Sequence, residues 1–125
     1  QPVYDEPEFI VRNVWRLYGG WYDGNPAHLK PAPDAAVAAE VAALAGGADA
    51  LTRRAAELAA TGDAGDLRLA GHLAELAIQA APDDPDAHRV RADVNEARAK
   101  AERSTMAKGV FRWAAAESRA KTGGA

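Results

Sequence analysis

Alanine limits this chain more than any other residue. Roughly a quarter of the 125 residues are alanine, while only 6% are aromatic. Alanine has the highest helix propensity and adds little side-chain volume. The expected product is a set of closely packed helices around a thin core, and a thin core gains from a partner surface. A chain of this length is one ordinary domain's worth and can bury a modest core. No stretch alternates with period two well enough to read as a strand. The expected fold class is therefore all-α, a helical bundle of about five or six helices.

Breakers divide the chain. Asp5 and Glu8 have capping-box-like spacing with Pro7 in the first turn, and Gly19-Gly20 stops the helix they open. Ile10, Val14 and Leu17 form one apolar row of this helix, and Val11, Trp15 and Tyr18 form a second. Together they cover well over a third of its circumference, wider than an ordinary surface helix, so packing on two sides is expected. The turn YGGWYDGNP follows at 18–26, and Pro31 and Pro33 extend the connector. Asp34 is expected to cap a second helix from about Ala35 to Leu44, which ends at Gly46-Gly47. Asp49 opens a third, to about Ala60, with Leu51, Ala55 and Leu58 on its buried side and Gly62 as its stop. A fourth runs from Gly65 or Asp66 to Ala80, with Leu69, Leu73 and Leu76 in an i, i+4, i+7 row.

PDDP at 82–85 breaks the fourth helix, and a fifth starts at Asp86. No strong breaker then appears before Gly109. One long helix and two helices with a bend near 103–108 both fit. Val110, Phe111 and Trp113 anchor the last segment, and 122–125 is expected to fray. Ala70, Ala74, Ala77 and Pro82 have the spacing of the second helix of a tetratricopeptide repeat, so helical hairpins partly of that kind are expected. The array does not continue, because His88, Arg91 and Asn95 stand where the next unit's large residues would be.

Several function classes lack their signals. Net charge is −3, with acids and bases interleaved, so no basic stripe offers a nucleic-acid surface. There is no cysteine, and no apolar run approaches a membrane span. The histidines, His28, His72 and His88, are scattered, without an HxH or HExxH pattern. His72 is expected on a helix flank or interface, and His28 and His88 in solvent. Ser104 and Ser118 lie on helices with no GxSxG turn. No catalytic residue, metal ligand or cofactor is therefore expected in this chain. The opening QPVYDEPE has no starting Met, as if cut from something longer, and does not read as a signal peptide. The compartment stays open, with the cytoplasm favoured over export.

The turn at 18–26 concentrates Tyr18, Trp21 and Tyr22 among Gly19, Gly20 and Gly24, with Asp23, Asn25 and Pro26. Its aromatics either plug the end of the bundle or dock against another domain or subunit, where Trp and Tyr are favoured. Here the residues carry a resemblance. VRNVWRLYGGWYDGNPAHLKP, at 11–31, resembles the opening of the alkyl sulfatase dimerisation domain, and the likeness continues through Gly46-Gly47 and the 62–85 stretch. The end, STMAKGVFRWAAAESR, departs from the family pattern, where a Trp-Arg-Asn segment is expected before the final helix.

The resemblance implies a non-catalytic homodimerisation and scaffold domain over 1–121. It implies a parent hydrolase of the metallo-β-lactamase superfamily whose zinc-holding catalytic domain lies N-terminal to this chain and is a second partner. The expected dimer or interdomain surface is Ile10, Val11, Val14, Trp15, Leu17, Tyr18, Trp21, Tyr22, Val110, Phe111 and Trp113. The alternative is a freestanding tetratricopeptide-like adaptor that binds a peptide.

Overall fold

A computed structural model describes residues 22–123 of the chain. Two compact units divide it, Gln1–Ala32 and Pro33–Ala125. The first expected helix, with Ile10, Val11, Val14, Trp15, Leu17 and Tyr18, lies outside the described residues, as do Gly19, Gly20 and Trp21. Within the first unit, residues 22–32 hold a single 3-10 turn at Pro26–His28. The second unit is all-α. It holds α1 (Asp34–Ala45), α2 (Ala48–Ala60), α3 (Ala64–Ala80), α4 (Pro85–Ala101) and α5 (Thr105–Lys121). No strand occurs among the described residues.

Local chemistry sets the boundaries. Gly46 takes the left-handed conformation at φ 95°, and Gly47 N–H returns to the Ala42 carbonyl at 2.8 Å, which closes α1. The chain bends there by 86° into α2. The expected cap at Asp34 is corrected, and Asp49 falls one residue inside the helix it is expected to open. Pro33 and Gly47 occupy the N-cap positions of α1 and α2, so Asp34 and Asp49 sit inside the first turns. There their charge faces the helix N-terminus instead. The other starts use side chains: Asp63 accepts from Asp66 N–H at 2.9 Å, and Asp84 from Asp86 N–H at 3.0 Å.

The open question after Asp86 resolves as two helices. The break needs neither Gly nor Pro. Glu102 leaves the helical region, at φ −88° and ψ 141°. Its carboxylate accepts from the N–H groups of Arg103 at 2.9 Å and Ser104 at 3.1 Å. Ser104 then caps α5 by accepting from Ala107 N–H at 3.3 Å. A carboxylate that takes two backbone donors leaves them unavailable to helix continuation.

The core is as thin as the composition predicts. Among the described residues its buried apolar members are alanines apart from Leu51, Leu58 and Val94. One cluster joins Ala55 and Leu58 of α2, Ala70 and Ala74 of α3, and Val94 of α4. A second joins Ala42, Leu51, Ala77 and Ala87. Leu73 packs against both. The expected leucine row of α3 is corrected in one place, since Leu69 is exposed and the fully buried row is Ala70, Ala74 and Ala77. Small residues in that row let α2 and α4 approach the α3 backbone closely.

Candidate functional site

Helix α5 packs on α4 and on no other helix among the described elements. That placement leaves an open groove of about 370 Å³ between α3 and α5, floored by α4. Gly71, His72 and Glu75 form the α3 wall. Arg91, Asn95 and Arg98 form the floor, and Val110, Phe111, Trp113 and Ala114 the α5 wall.

The floor is polar and buried. Arg91 has a side chain only 5% exposed, yet it reaches two carboxylates on two other helices. Its Nε donates to Glu75 of α3 at 3.0 Å, and its Nη1 donates to Glu117 of α5 at 2.7 Å. Nη1 also meets the Ala114 carbonyl at 3.3 Å and Ser118 Oγ at 3.1 Å. One guanidinium thus ties three helices together, which its fixed fork of donors permits.

His88 completes the seam. Its Nε2 stands 2.7 Å from the Pro82 carbonyl, and its Nδ1 stands 3.0 Å from Ser118 Oγ. A carbonyl can only accept, so Nε2 carries the proton. In a neutral ring Nδ1 accepts from the Ser118 hydroxyl, and that oxygen accepts in turn from Arg91. Asn95 donates to the Arg91 carbonyl at 2.8 Å. No buried side-chain N or O lacks a partner among the described residues.

The expectation that His88 sits in solvent is therefore wrong: it is 4% exposed. His88, Arg91 and Asn95 are all buried, and His88 and Arg91 bond to α5 rather than to water. The physical reason is that α5 supplies complementary groups, Glu117 and Ser118, one helical turn beyond its apolar end. A serine and a histidine in hydrogen-bond contact can form half of a nucleophilic pair. Here Ser118 is fully buried and its oxygen is held by Arg91, so no substrate reaches it.

The α5 wall carries Val110, Phe111 and Trp113 of the expected surface. Val110 is 57% exposed and Trp113 60%, and Met106, 81% exposed, extends the same row at i, i+4, i+7. Met106 was not singled out from the sequence, although that spacing would have found it. Phe111 is half-buried, with the Arg98 guanidinium 4.4 Å from its ring centroid. A Cβ at Gly71 would overlap that guanidinium, so the glycine makes room for it.

The described part of the aromatic turn, taken by itself, builds its own geometry. Gly24 has φ 89°. Asp23 accepts from Asn25 N–H at 2.8 Å and holds His28 Nδ1 at 2.5 Å. Asn25 caps the 3-10 turn by accepting from Ala27 N–H at 2.9 Å. The Asn25 N–H, followed by His28, holds the Asp23 carboxyl below its usual range. Tyr22 is half-buried, whereas Asp23, Gly24, Asn25 and Pro26 are exposed. His28 and His72 are exposed.

Chemically, the groove offers an apolar wall, unfilled space and cationic side chains. That is equipment for association. No three His, Cys, Asp or Glu side chains gather among the described residues, so these residues do not fit a zinc centre. No single described helix is long and apolar enough to cross a membrane.

Comparison with known proteins agrees with this character. The family model for alkyl sulfatase dimerisation matches residues 1–121. An (R)-specific secondary-alkylsulfatase of a Pseudomonas species is 37% identical over 86 residues, 69% of this chain and 12% of that protein. An alkyl/aryl-sulfatase of Saccharomyces cerevisiae is 35% identical over 86 residues, 69% of this chain and 13% of that protein. A linear primary-alkylsulfatase of Pseudomonas is 36% identical over 92 residues, 71% of this chain and 16% of that protein. The chain thus spans only a small part of the length of these relatives. No solved structure matches. The chain belongs to the alkyl sulfatase dimerisation family.

Proposed function

With that membership as premise, we propose that this chain pairs two copies of a longer, zinc-dependent, alkyl sulfatase-like hydrolase. The zinc and the ester chemistry belong to a catalytic domain of the metallo-β-lactamase superfamily outside these residues. This chain contributes no step of that chemistry; it holds two such domains together and is in contact with its own. The observation that carries the reading is the exposed row Met106, Val110 and Trp113 on α5. Apolar groups of this size, gathered on one helix face beside a groove, mark an interaction surface. A twofold dimer covers the same row on both chains. The second part of the surface is the segment with Ile10, Val11, Val14, Trp15, Leu17, Tyr18, Trp21 and Tyr22.

The test is sedimentation equilibrium on the chain and on Trp113→Ala. A central aromatic in an interface contributes about 1–3 kcal/mol, so the dimer dissociation constant should rise about tenfold or more. An unchanged constant removes α5 from the interface. Release of sulfate from an alkyl sulfate by the isolated chain would contradict the non-catalytic role.

A further inference from the structure

We infer that a hollow between the start of α3, the end of α4 and α5 binds a small monocarboxylate with a compact apolar body. The inference stands apart from the pairing reading, because no residue lining the hollow belongs to the exposed row Met106, Val110 and Trp113. The hollow measures about 130 Å³ and opens beside the groove, with which it shares Arg98 and Phe111. Its apolar lining is Ala64, Leu67, Ala101 and Phe111. A cavity of about 150 Å³ takes benzene, so a hollow of this size suits an apolar body of about six carbons.

The charged lining is Arg68 from α3, Arg98 from α4, and Glu102 just beyond α4. Among the described residues neither arginine forms a salt bridge. Glu102 does not cancel them. Its carboxylate already accepts from the N–H groups of Arg103 and Ser104. The N–H groups of Ser104 and Arg103, then Arg98 and Lys108, hold that carboxyl below its usual range. The nearby acids at the start of α3 are also engaged, Asp66 by the Thr61 hydroxyl and Asp63 by the Asp66 N–H. Two guanidinium groups against one carboxylate leave a surplus of one positive charge, which a single carboxylate head balances. A guanidinium fork also matches the two oxygens of a carboxylate.

Arg98 is held in place for this task. Its guanidinium lies 4.4 Å from the Phe111 ring centroid, and Gly71 of α3 leaves the space it occupies. A glycine inside a helix costs helix propensity, and here the space it leaves admits a cation that no carboxylate of the described residues pairs with. The head of the ligand meets the two arginines, and its apolar body rests against Leu67 and Phe111.

The test is isothermal titration calorimetry of the full chain with hexanoate at neutral pH. Saturable binding with a dissociation constant of about 1 mM or below is expected. Acetate lacks the apolar body and should bind about tenfold more weakly or worse. Hexylamine should not bind. Arg98→Gln and Arg68→Gln should each weaken hexanoate about tenfold or more. Gly71→Ala removes no charge but displaces Arg98, and should weaken hexanoate as well. Far-UV circular dichroism checks that the variants fold. No saturable binding of hexanoate, equal binding of hexylamine, or parent-like affinity in both arginine variants overturns the site. Hexyl sulfate binding more tightly than hexanoate overturns the carboxylate assignment. Light scattering with and without hexanoate separates this site from pairing, and the mass is expected to stay the same. A mass that shifts with hexanoate would place the ligand on the pairing surface and overturn the inference. A mass of 13.1 kDa in both would contradict pairing and leave the site standing.

Discussion

Arg91 shows how much can rest on one side chain. Its guanidinium is buried, while the carboxylates it holds, Glu75 and Glu117, are 43% and 42% exposed. Removing the arginine strips the seam of its central donor and leaves a cavity. Removing one carboxylate leaves the other in place, and the bulk of the lost charge was already in contact with water. Arg91→Ala should therefore destabilise by about 2–4 kcal/mol, and Glu117→Gln by about 1 kcal/mol or less. Urea denaturation of the two variants measures both. Equal losses would mean that the ion pair to Glu117, not the fork as a whole, fastens α5. The seam was visible in the sequence only as an anomaly. The spacing of His88, Arg91 and Asn95 places them on one helix face, but polar residues on a face read as solvated. The α5 partners of His88 and Arg91 lie 26 to 30 residues later, at Ser118 and Glu117, and only the packed structure pairs them.

At the scale of the element, the break between α4 and α5 depends on a charge. The N–H groups of Ser104 and Arg103 hold the Glu102 carboxyl below its usual range. A depressed carboxylate contributes stability that is present above its ordinary pKa and is lost as pH falls through its folded value. Acid should therefore loosen this junction, and Glu102→Gln should flatten the acid limb of a stability-versus-pH curve. An identical limb in the variant would rule Glu102 out as its source. Two helical glycines give a second contrast. Nothing lies within 4 Å of a Cβ built on Gly109, so Gly109→Ala gains helix propensity, about 0.5–1 kcal/mol. At Gly71 the same gain is offset by displacing Arg98 from Phe111, a contact of about 0.5–1 kcal/mol at such a site. Thermal denaturation should find Gly109→Ala stabilised and Gly71→Ala near the parent. The helices themselves were legible because Gly46-Gly47, Gly62 and PDDP are strong breakers. The Glu102–Ser104 break was left open because a carboxylate that captures two backbone donors has no distinctive composition.

For the whole molecule, the alanine-rich core and the exposed α5 row have one consequence. Alanines bring helices close but bury little area each, so the chain retains unburied apolar groups, Met106, Val110 and Trp113, on the outside. The composition announced a thin core, and the family motif at 11–31 announced pairing. Val110, Phe111 and Trp113 were legible as a cluster of large residues in a chain with few. The groove was not, since it exists only because α5 leans on α4 and stands clear of α3. The described part of the motif turn, from Asp23 to His28, also has a plainer use than its appearance suggests, because its polar residues hydrogen-bond one another into shape. The central claim is that this chain associates with itself. Light scattering across a concentration series tests it most directly. The account predicts a mass of twice 13.1 kDa that falls toward 13.1 kDa on dilution sooner for Trp113→Ala than for the parent. A mass of 13.1 kDa for the parent at every concentration would contradict it.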